Sequence, residues 1–553
     1  MKWPFVSFLT VLLSVFSGAA NALSCQALVL NLPQGVSAKA DMHFPDAQVR
    51  YPYCLVQGSL PKRLGIDGKR YQIKFEIRLP RFWQGRLAYQ FNGGNDGVVR
   101  PALGNMTGQV TAQYAVNQGF AVISSNGGHN LDKGDSSSLI GSAMFGFDPQ
   151  ARRDFGYDAV RKLYPIARLM TERYYNSPIR YSYGIGASNG GRVAMVAATR
   201  FPNFFDGLLV GYPGINMPKA ALQHAWDIQS LHAVNADLGK ALTPRDISLF
   251  VRGLLRRCDG LDGLRDHLIF ASNACQRQFE PTSLVCKSEF DRDCLPVEKV
   301  SAIIRMFQGP HNSKNEALYS SWVYDTGMLS SNWRTWKIES TVDNWSRKPI
   351  IDVLGAASLA TIFMTPPVKV KSNPFSLEQF LLDFDFDKDA PKIFATNQRF
   401  PESAMTVMTP PDVMDPKLTV FRQHGGKMII FHGNSDPVFS VRDTMRWYDY
   451  LNFNLAGKAD QFVRFYRVPG MSHGEGGPTL DRFDLLRPLV NWVESQQRPN
   501  TIVAATHLPN PELPESMVGI TRPLCPYPSY AVYQQGPYPL ASSFACGVDA
   551  FSY

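Results

Sequence analysis

The stretch Tyr183-Gly184-Ile185-Gly186-Ala187-Ser188-Asn189-Gly190-Gly191-Arg192 decides the fold. It contains G-x-S-x-G, with Ser188 between Gly186 and Gly190. The residues leading into it, Ile179–Ile185, read as a short buried strand, and Gly191–Arg200 reads as an apolar helix. A sharp turn from strand to helix holds a serine in a strained conformation, and glycines on both sides let the two backbones pass closely. The following helix N-terminus then aims amides at negative charge developing beside the serine. The five-residue pattern recurs by chance, so the flanking strand and helix carry the reading.

Outward from this turn, the pattern alternates between strand and helix. Leu87–Phe91 and Phe120–Ser124 read as short strands, Asp154–Tyr174 as a long helix, and Gly207–Val210 as a further strand. Alternation resumes near residue 425. Lys427–His432 and Phe462–Val468 read as strands, Val441–Leu451 and Asp481–Glu494 as helices. This order predicts a mainly parallel sheet covered on both faces. Between the two segments, over about 216–415, the alternation is lost and four cysteines appear among scattered aromatic and Pro residues. That region reads as an inserted lid domain, with core parts at 23–215 and 416–553. The Pro-rich chain after residue 498 reads as irregular and lying along the surface.

A serine hydroxyl is a poor nucleophile at neutral pH. It needs a histidine base, and the histidine needs a carboxylate to orient it. On sheets of this kind the chain order is Ser, acid, His, each past the C-terminal end of a strand. Asp436 stands past the strand that ends in His432-Gly433-Asn434-Ser435-Asp436-Pro437, and His473 stands past Val468-Pro469-Gly470-Met471-Ser472-His473. Ser188, Asp436 and His473 are therefore the expected triad, and the fold class is the α/β-hydrolase fold with a large inserted lid. Gly470-Met471-Ser472-His473-Gly474 also fits G-x-S-x-G, but Gly-rich chain follows it instead of a helix, so Ser472 reads as a neighbour of the histidine. The oxyanion hole is expected from the amide of Asn189 with one from Gly93 or Gly94, which follow the strand Leu87–Phe91. His129 and His432 also lie near strand ends and read as structural.

The N-terminus carries Lys2, an apolar run from Phe5 to Ala20, and Ala20-Asn21-Ala22, which reads as a secretory signal cleaved after Ala22. A lipoprotein signal at Cys25 is the rival reading. No later apolar run reaches the roughly 18 residues of a membrane span, so no membrane association is expected after cleavage. Export makes the eight cysteines readable as four local disulfides: Cys25–Cys54, Cys258–Cys275, Cys286–Cys294 and Cys525–Cys546. Other pairings stay open, and a metal site is the alternative, though no C-x-x-C spacing supports it. The net charge of +9 is spread over 553 residues without a dense Lys/Arg block, which argues against a nucleic-acid partner.

With these residues assembled, the chain resembles the tannase/feruloyl esterase family over nearly all its mature length. The likeness rests on Asp154-Phe155-Gly156-Tyr157, Ser188-Asn189-Gly190-Gly191-Arg192, Phe205-Asp206-Gly207, the Asp436 and His473 motifs, and Arg522-Pro523-Leu524-Cys525-Pro526-Tyr527-Pro528. It implies hydrolysis of small-molecule esters of aromatic acids, and a structural calcium ion in the lid. The segment Cys258 to Leu268 is similar to the family's calcium loop, in which Asp259, Asp262 and Asp266 would supply carboxylates and Leu264 and Leu268 carbonyls. Three acids around a Gly suit a hard cation that takes oxygen ligands. His267 stands where the family usually has Gly. Typical members also carry a disulfide under the triad, and its two places hold Ala187 and Ser472 here. The alternatives are a peptidase with the same triad, a hydrolase of aliphatic hydroxyalkanoate oligoesters, and a non-catalytic binding protein on this scaffold.

Overall fold

In the computed structural model, which describes residues 23–131, 138–288 and 290–548, nine strands form one sheet. The expected signal segment, 1–22, lies outside the described residues. The strands are β1 Ser37–His43, β2 Tyr53–Ser59, β3 Lys74–Pro80, β4 Arg86–Phe91, β5 Phe120–Ser125, β6 Tyr181–Ala187, β7 Gly207–Gly211, β8 Lys427–Gly433 and β9 Val463–Val468. Their order across the sheet is β1-β2-β3-β5-β4-β6-β7-β8-β9. The pairs β1–β2, β2–β3 and β3–β5 are antiparallel. From β5 to β9 every pair is parallel.

Parallel strands buried on both faces need apolar residues on both faces, and these have them. Successive side chains point to opposite sides, so one strand feeds two cores. Met428 and Ile430 of β8 join one core while Ile429 and Phe431 join the other, and Val463/Phe465 and Tyr466/Val468 of β9 divide likewise. The helices α1 (Ala159–Tyr175), α2 (Asn189–Arg200) and α3 (Val441–Asn454) cover the first face, and α4 (Leu486–Ser495) covers the second. Among the described residues no helix is long and apolar enough to cross a membrane.

The chain between β7 and β8 folds as helices and loops around a third core, made of residues such as Phe250, Trp333 and Leu359. Its helices include Met217–His232, Pro244–Cys258, Val297–Gln308 and Ser331–Lys337. All four disulfides form with the expected partners. Two of them, Cys258–Cys275 and Cys286–Cys294, lie in this lid.

Three elements differ from the sequence reading. Helix α4 begins at Leu486, not Asp481, which places Pro488 in the first helical turn, where its missing N–H costs no intrahelical hydrogen bond. Asp484 caps that turn by accepting from the amides of Leu486 and Arg487. The tail is not irregular surface chain. Ile502–Ala505 pairs with Thr521–Leu524, and Tyr530–Tyr533 with Phe544–Gly547, in antiparallel ladders. Ile502, Ala504, Leu524 and Ala531 are buried in the core beneath the sheet. These strands, of four residues each, are too short to show alternation. Finally, the sheet extends to β1 and β2, before the region where alternation was legible. The edge strand β1 is largely exposed, and Cys25–Cys54 ties the chain ahead of it to β2.

Candidate active site

Ser188 occupies the single residue between β6 and α2, with φ +60° and ψ −124°. For a residue with a side chain this is a strained conformation, and the surrounding glycines explain how it is held. A Cβ on Gly186 would stand 2.5 Å from the Gly190 carbonyl oxygen, and one on Gly191 would stand 2.6 Å from that of Gly211. A Cβ on Gly190 would collide with the Phe91 carbonyl oxygen. Arg192 is fully buried below the turn. Its guanidinium donates to Asn189 Oδ1 and to the carbonyls of Phe155 and Gly156. Those carbonyls belong to a π-turn, Asp154–Asp158, that precedes α1.

The three expected residues meet. His473 Nε2 lies 2.9 Å from Ser188 Oγ, and His473 Nδ1 lies 2.9 and 3.0 Å from Asp436 Oδ2 and Oδ1. Asp436 follows β8 and His473 follows β9, so strand ends bring together residues up to 285 positions apart. Asp436 is buried, and its Oδ1 also accepts from the amides of Val438 and Phe439. Burial by itself would raise this carboxyl's pKa. The adjoining His473 and His432 rings, by charge and hydrogen bond, outweigh burial and hold it below the usual carboxylate range. The His473 ring is packed edge-on by Tyr212, Trp336 and Phe439 at centroid distances of 4.8, 5.2 and 5.7 Å.

Of the oxyanion candidates, Asn189 opens α2, where first-turn amides have no intrahelical partner. A Cβ on Gly93 would stand 3.8 Å from Ser188 Cβ, so the loop after β4 lies directly beside the serine. Gly94 has φ +63°, a conformation glycine adopts freely. Asn92 anchors this loop through its side-chain amide to Ser124 Oγ and the Ser125 carbonyl. His129 braces it, with Nε2 2.7 Å from the Asn95 carbonyl and its ring stacked on Phe145. Burial lowers its pKa to about 4, so it stays neutral near pH 7.

Ser472 is buried, and its hydroxyl lies 2.6 Å from that of Ser330 in the lid. The second G-x-S-x-G is thus a turn that ties the histidine loop to the lid. Two further residues, His432 and Asp325, sit next to these three. His432, read as structural, is fully buried with Nε2 3.3 Å from Asp436 Oδ2 and 3.0 Å from the Phe439 carbonyl. Its Nδ1 faces Thr444 Oγ1 at 2.9 Å. Asp325 of the lid accepts on Oδ2 from the Gly470 amide at 2.7 Å and from Ser435 Oγ at 3.0 Å, joining the loops of acid and base. Its proximity to either carried no sequence signal, since more than 100 residues separate it from both.

The loop expected to hold a metal brings Asp259, Asp262 and Asp266 together and buries them. Asp262 accepts from the amides of Leu264 and Phe270, Asp259 from those of Asp266 and His267, and Asp266 from that of Leu268. Arg522 from the tail pairs with Asp266 Oδ2. Burial, reinforced by the charges of Asp266 and Asp259, pushes Asp262 up to about 8. The donors are all oxygen, as a hard cation requires. No three His, Cys, Asp or Glu side chains stand at metal-ligand spacing among the described residues. His267 has φ +70°, which accounts for the Gly usual at that place in the resembled family.

The family model for tannase and feruloyl esterase matches residues 58–547. The chain is 36% identical over 519 residues to a mono(2-hydroxyethyl) terephthalate hydrolase of Piscinibacter sakaiensis, covering 89% of this chain and 84% of that one. It is 26% identical to feruloyl esterase B of Aspergillus niger, covering 85% and 83%. The crystal structure of feruloyl esterase B from Aspergillus oryzae superposes with a TM-score of 0.71 at 20% identity, covering 95% of this chain and 100% of that one. Tannin acyl hydrolase from Aspergillus niger superposes with a TM-score of 0.67 at 18% identity, covering 94% of each. These two likenesses bear on the fold, which is the α/β-hydrolase fold. The chain belongs to the tannase and feruloyl esterase family and is a carboxylic ester hydrolase.

Proposed function

We propose that the protein is a secreted or periplasmic serine esterase acting on small-molecule esters of aromatic acids. The observation that carries this reading is the unbroken relay from Ser188 Oγ through His473 to Asp436, with 2.9 Å at each step. His473 takes the Ser188 proton as the hydroxyl oxygen attacks the ester carbonyl, and Asp436 holds the ring with Nδ1–H toward itself. The amide of Asn189 and one from Gly93 or Gly94 receive the oxyanion. Collapse expels the alcohol, which takes its proton from His473. Water, deprotonated by the same ring, then splits the acyl-enzyme to acid and free serine.

The aromatic preference is supported by the rings of Tyr212, Trp336 and Phe439 around His473 and by the relatives' substrates. Export is supported by four disulfides and by the apolar run ahead of Ala22. A calcium ion at the Asp259–Leu268 loop is supported by three buried carboxylates, of which Asp266 pairs with Arg522, with carbonyls of Leu264 and Leu268 as further candidate ligands.

The test is release of acid from an aryl ester, methyl ferulate, a gallate ester, a terephthalate monoester and a hydroxybutyrate dimer, by the wild type and by Ser188→Ala. Cleavage of an aromatic ester that the substitution abolishes is the expected result. Equal turnover by both proteins would refute the serine mechanism, and preference for the hydroxybutyrate dimer would refute the aromatic class.

A further inference from the structure

The lid turn at residues 325–330 is wedged against the two loops that carry Asp436 and His473. Asp325 Oδ2 accepts from Ser435 Oγ, next to Asp436, and from the amide of Gly470, three residues before His473. The Gly327 amide donates to Ser435 Oγ at 2.9 Å. From the other loop, Ser472 Oγ donates to the Gly327 carbonyl at 3.3 Å, and Ser330 Oγ lies 2.6 Å from the same hydroxyl. A Cβ on Gly327 would collide with the Gly470 carbonyl oxygen and stand 2.5 Å from Ser435 Cβ, so the turn fits without slack against both loops. Asp325, Thr326, Ser330, Ser435 and Ser472 are at most 4% exposed.

The two loops also bond each other, from the Asn434 amide to the Val468 carbonyl and from the Ser435 amide to the Met471 carbonyl. Those neutral backbone bonds continue the pairing of β8 with β9. Asp325 adds a charge. Burial pushes its carboxyl up to about 6, against the Gly470 and Thr326 amides, Ser435 and the charge of Arg467 on β9. Arg467, the charged group facing it, is lowered by burial to about 10 and stays a cation from pH 5 to pH 8. Above pH 7 Asp325 is therefore a carboxylate, and its bonds to Ser435 and Gly470 are charge-assisted, roughly twice as strong as neutral ones. A buried carboxylate costs stability, and here the cost secures contact with both loops at once.

We propose that this turn is a clasp that sets the distance between Asp436 and His473, with Asp325 as its positioning residue. The inference rests on the serine-esterase reading above. The lid then does more than cover the site: its docking holds acid and base in register, where a misplacement of about 1 Å costs roughly 100-fold in rate.

The experiment measures kcat and KM on an aromatic ester at pH 5 and pH 8 for the whole mature wild type, Asp325→Ala and Asp325→Asn. Each kcat is expressed per serine titrated in an acylation burst, so that unfolded protein does not count. Alanine removes both contacts, and kcat at pH 8 should fall about 10- to 100-fold with KM within about twofold. Asparagine keeps an acceptor oxygen for both donors and imitates the protonated acid. It should be about fivefold slower than the wild type at pH 8 and nearly equal to it at pH 5; His473 titrates in both proteins, so the ratio isolates Asp325. Should Asp325→Ala fail to fold, Ser435→Ala replaces it: one donor to Asp325 and the acceptor for Gly327 are lost, and kcat should fall about threefold to tenfold at unchanged KM. A folded alanine variant with the wild-type kcat per titrated serine overturns the proposal. So does a KM that rises in step with the fall in kcat, or a ratio of wild type to Asp325→Asn that does not shrink from pH 8 to pH 5. Failure of the underlying reading looks different: turnover survives Ser188→Ala.

Discussion

Asp436→Asn isolates the part of the relay that depends on charge and tautomer. Asp436 Oδ1 accepts from the Val438 and Phe439 amides, so an asparagine keeps its carbonyl oxygen there. Its NH2 must then take the place of Oδ2, which faces His473 Nδ1 at 2.9 Å and His432 Nε2 at 3.3 Å. A donor now confronts two donors. His473 can relieve the conflict by moving its proton to Nε2, but that proton points at Ser188 Oγ and the ring can no longer accept from it. Wrong-tautomer substitutions of this kind cost on the order of 10⁴ in kcat, about 5.4 kcal/mol of transition-state stabilisation. The mismatch at His432 adds about 1–3 kcal/mol of lost stability. The assay is kcat on the preferred ester together with urea unfolding of wild type and variant. A loss below about tenfold in a folded variant would refute the assignment of Asp436 as the orienting acid.

His432→Phe removes one donor from Asp436 while filling the buried site. kcat should fall by about 10- to 100-fold, the worth of a charge-assisted hydrogen bond, with KM nearly unchanged; unchanged kcat would return His432 to a purely structural role. Gly190→Ala drives a methyl into the Phe91 carbonyl. It should destabilise the protein by about 1–3 kcal/mol and abolish activity by displacing Ser188, so an active variant would contradict the geometry of the turn. The calcium loop has a pH signature. Asp262 titrates near 8 when folded and near 3.8 as a free group, so the metal-free protein binds the extra proton and loses stability as pH rises from about 4 to about 8. Calcium favours the ionised carboxylates, so its stabilising increment should be larger at pH 8 than at pH 5, amounting to about 2.7 kcal/mol at a hundred times Kd. Melting curves with calcium and with chelator check this, and an increment that Asp262→Asn leaves intact would place the ion elsewhere.

Much of the site was legible because its signals are local. Gly186, Ser188, Gly190 and Gly191 lie within six residues, and the steric demands of one turn require them. Asp436 and His473 stood out through the strands that precede them and through their chain order. The cysteines paired as their spacing suggests because each pair closes a short segment of chain. Strand alternation failed at β1, which buries little, and in the tail, where strands of four residues are too short to show a period.

Taken alone, the sequence determined the strand-turn-helix around Ser188, the strand ends past which Asp436 and His473 stand, and the mixed α/β architecture, each of which rests on a pattern local in the chain. Only the tertiary structure decided who supports them. Asp325 reaches the loops of Asp436 and His473 from the lid, Arg522 reaches Asp266 across 256 positions, and Ser330 meets Ser472 across 142. A buried polar group must find a partner wherever the packing puts one, and no local pattern records which distant residue that will be.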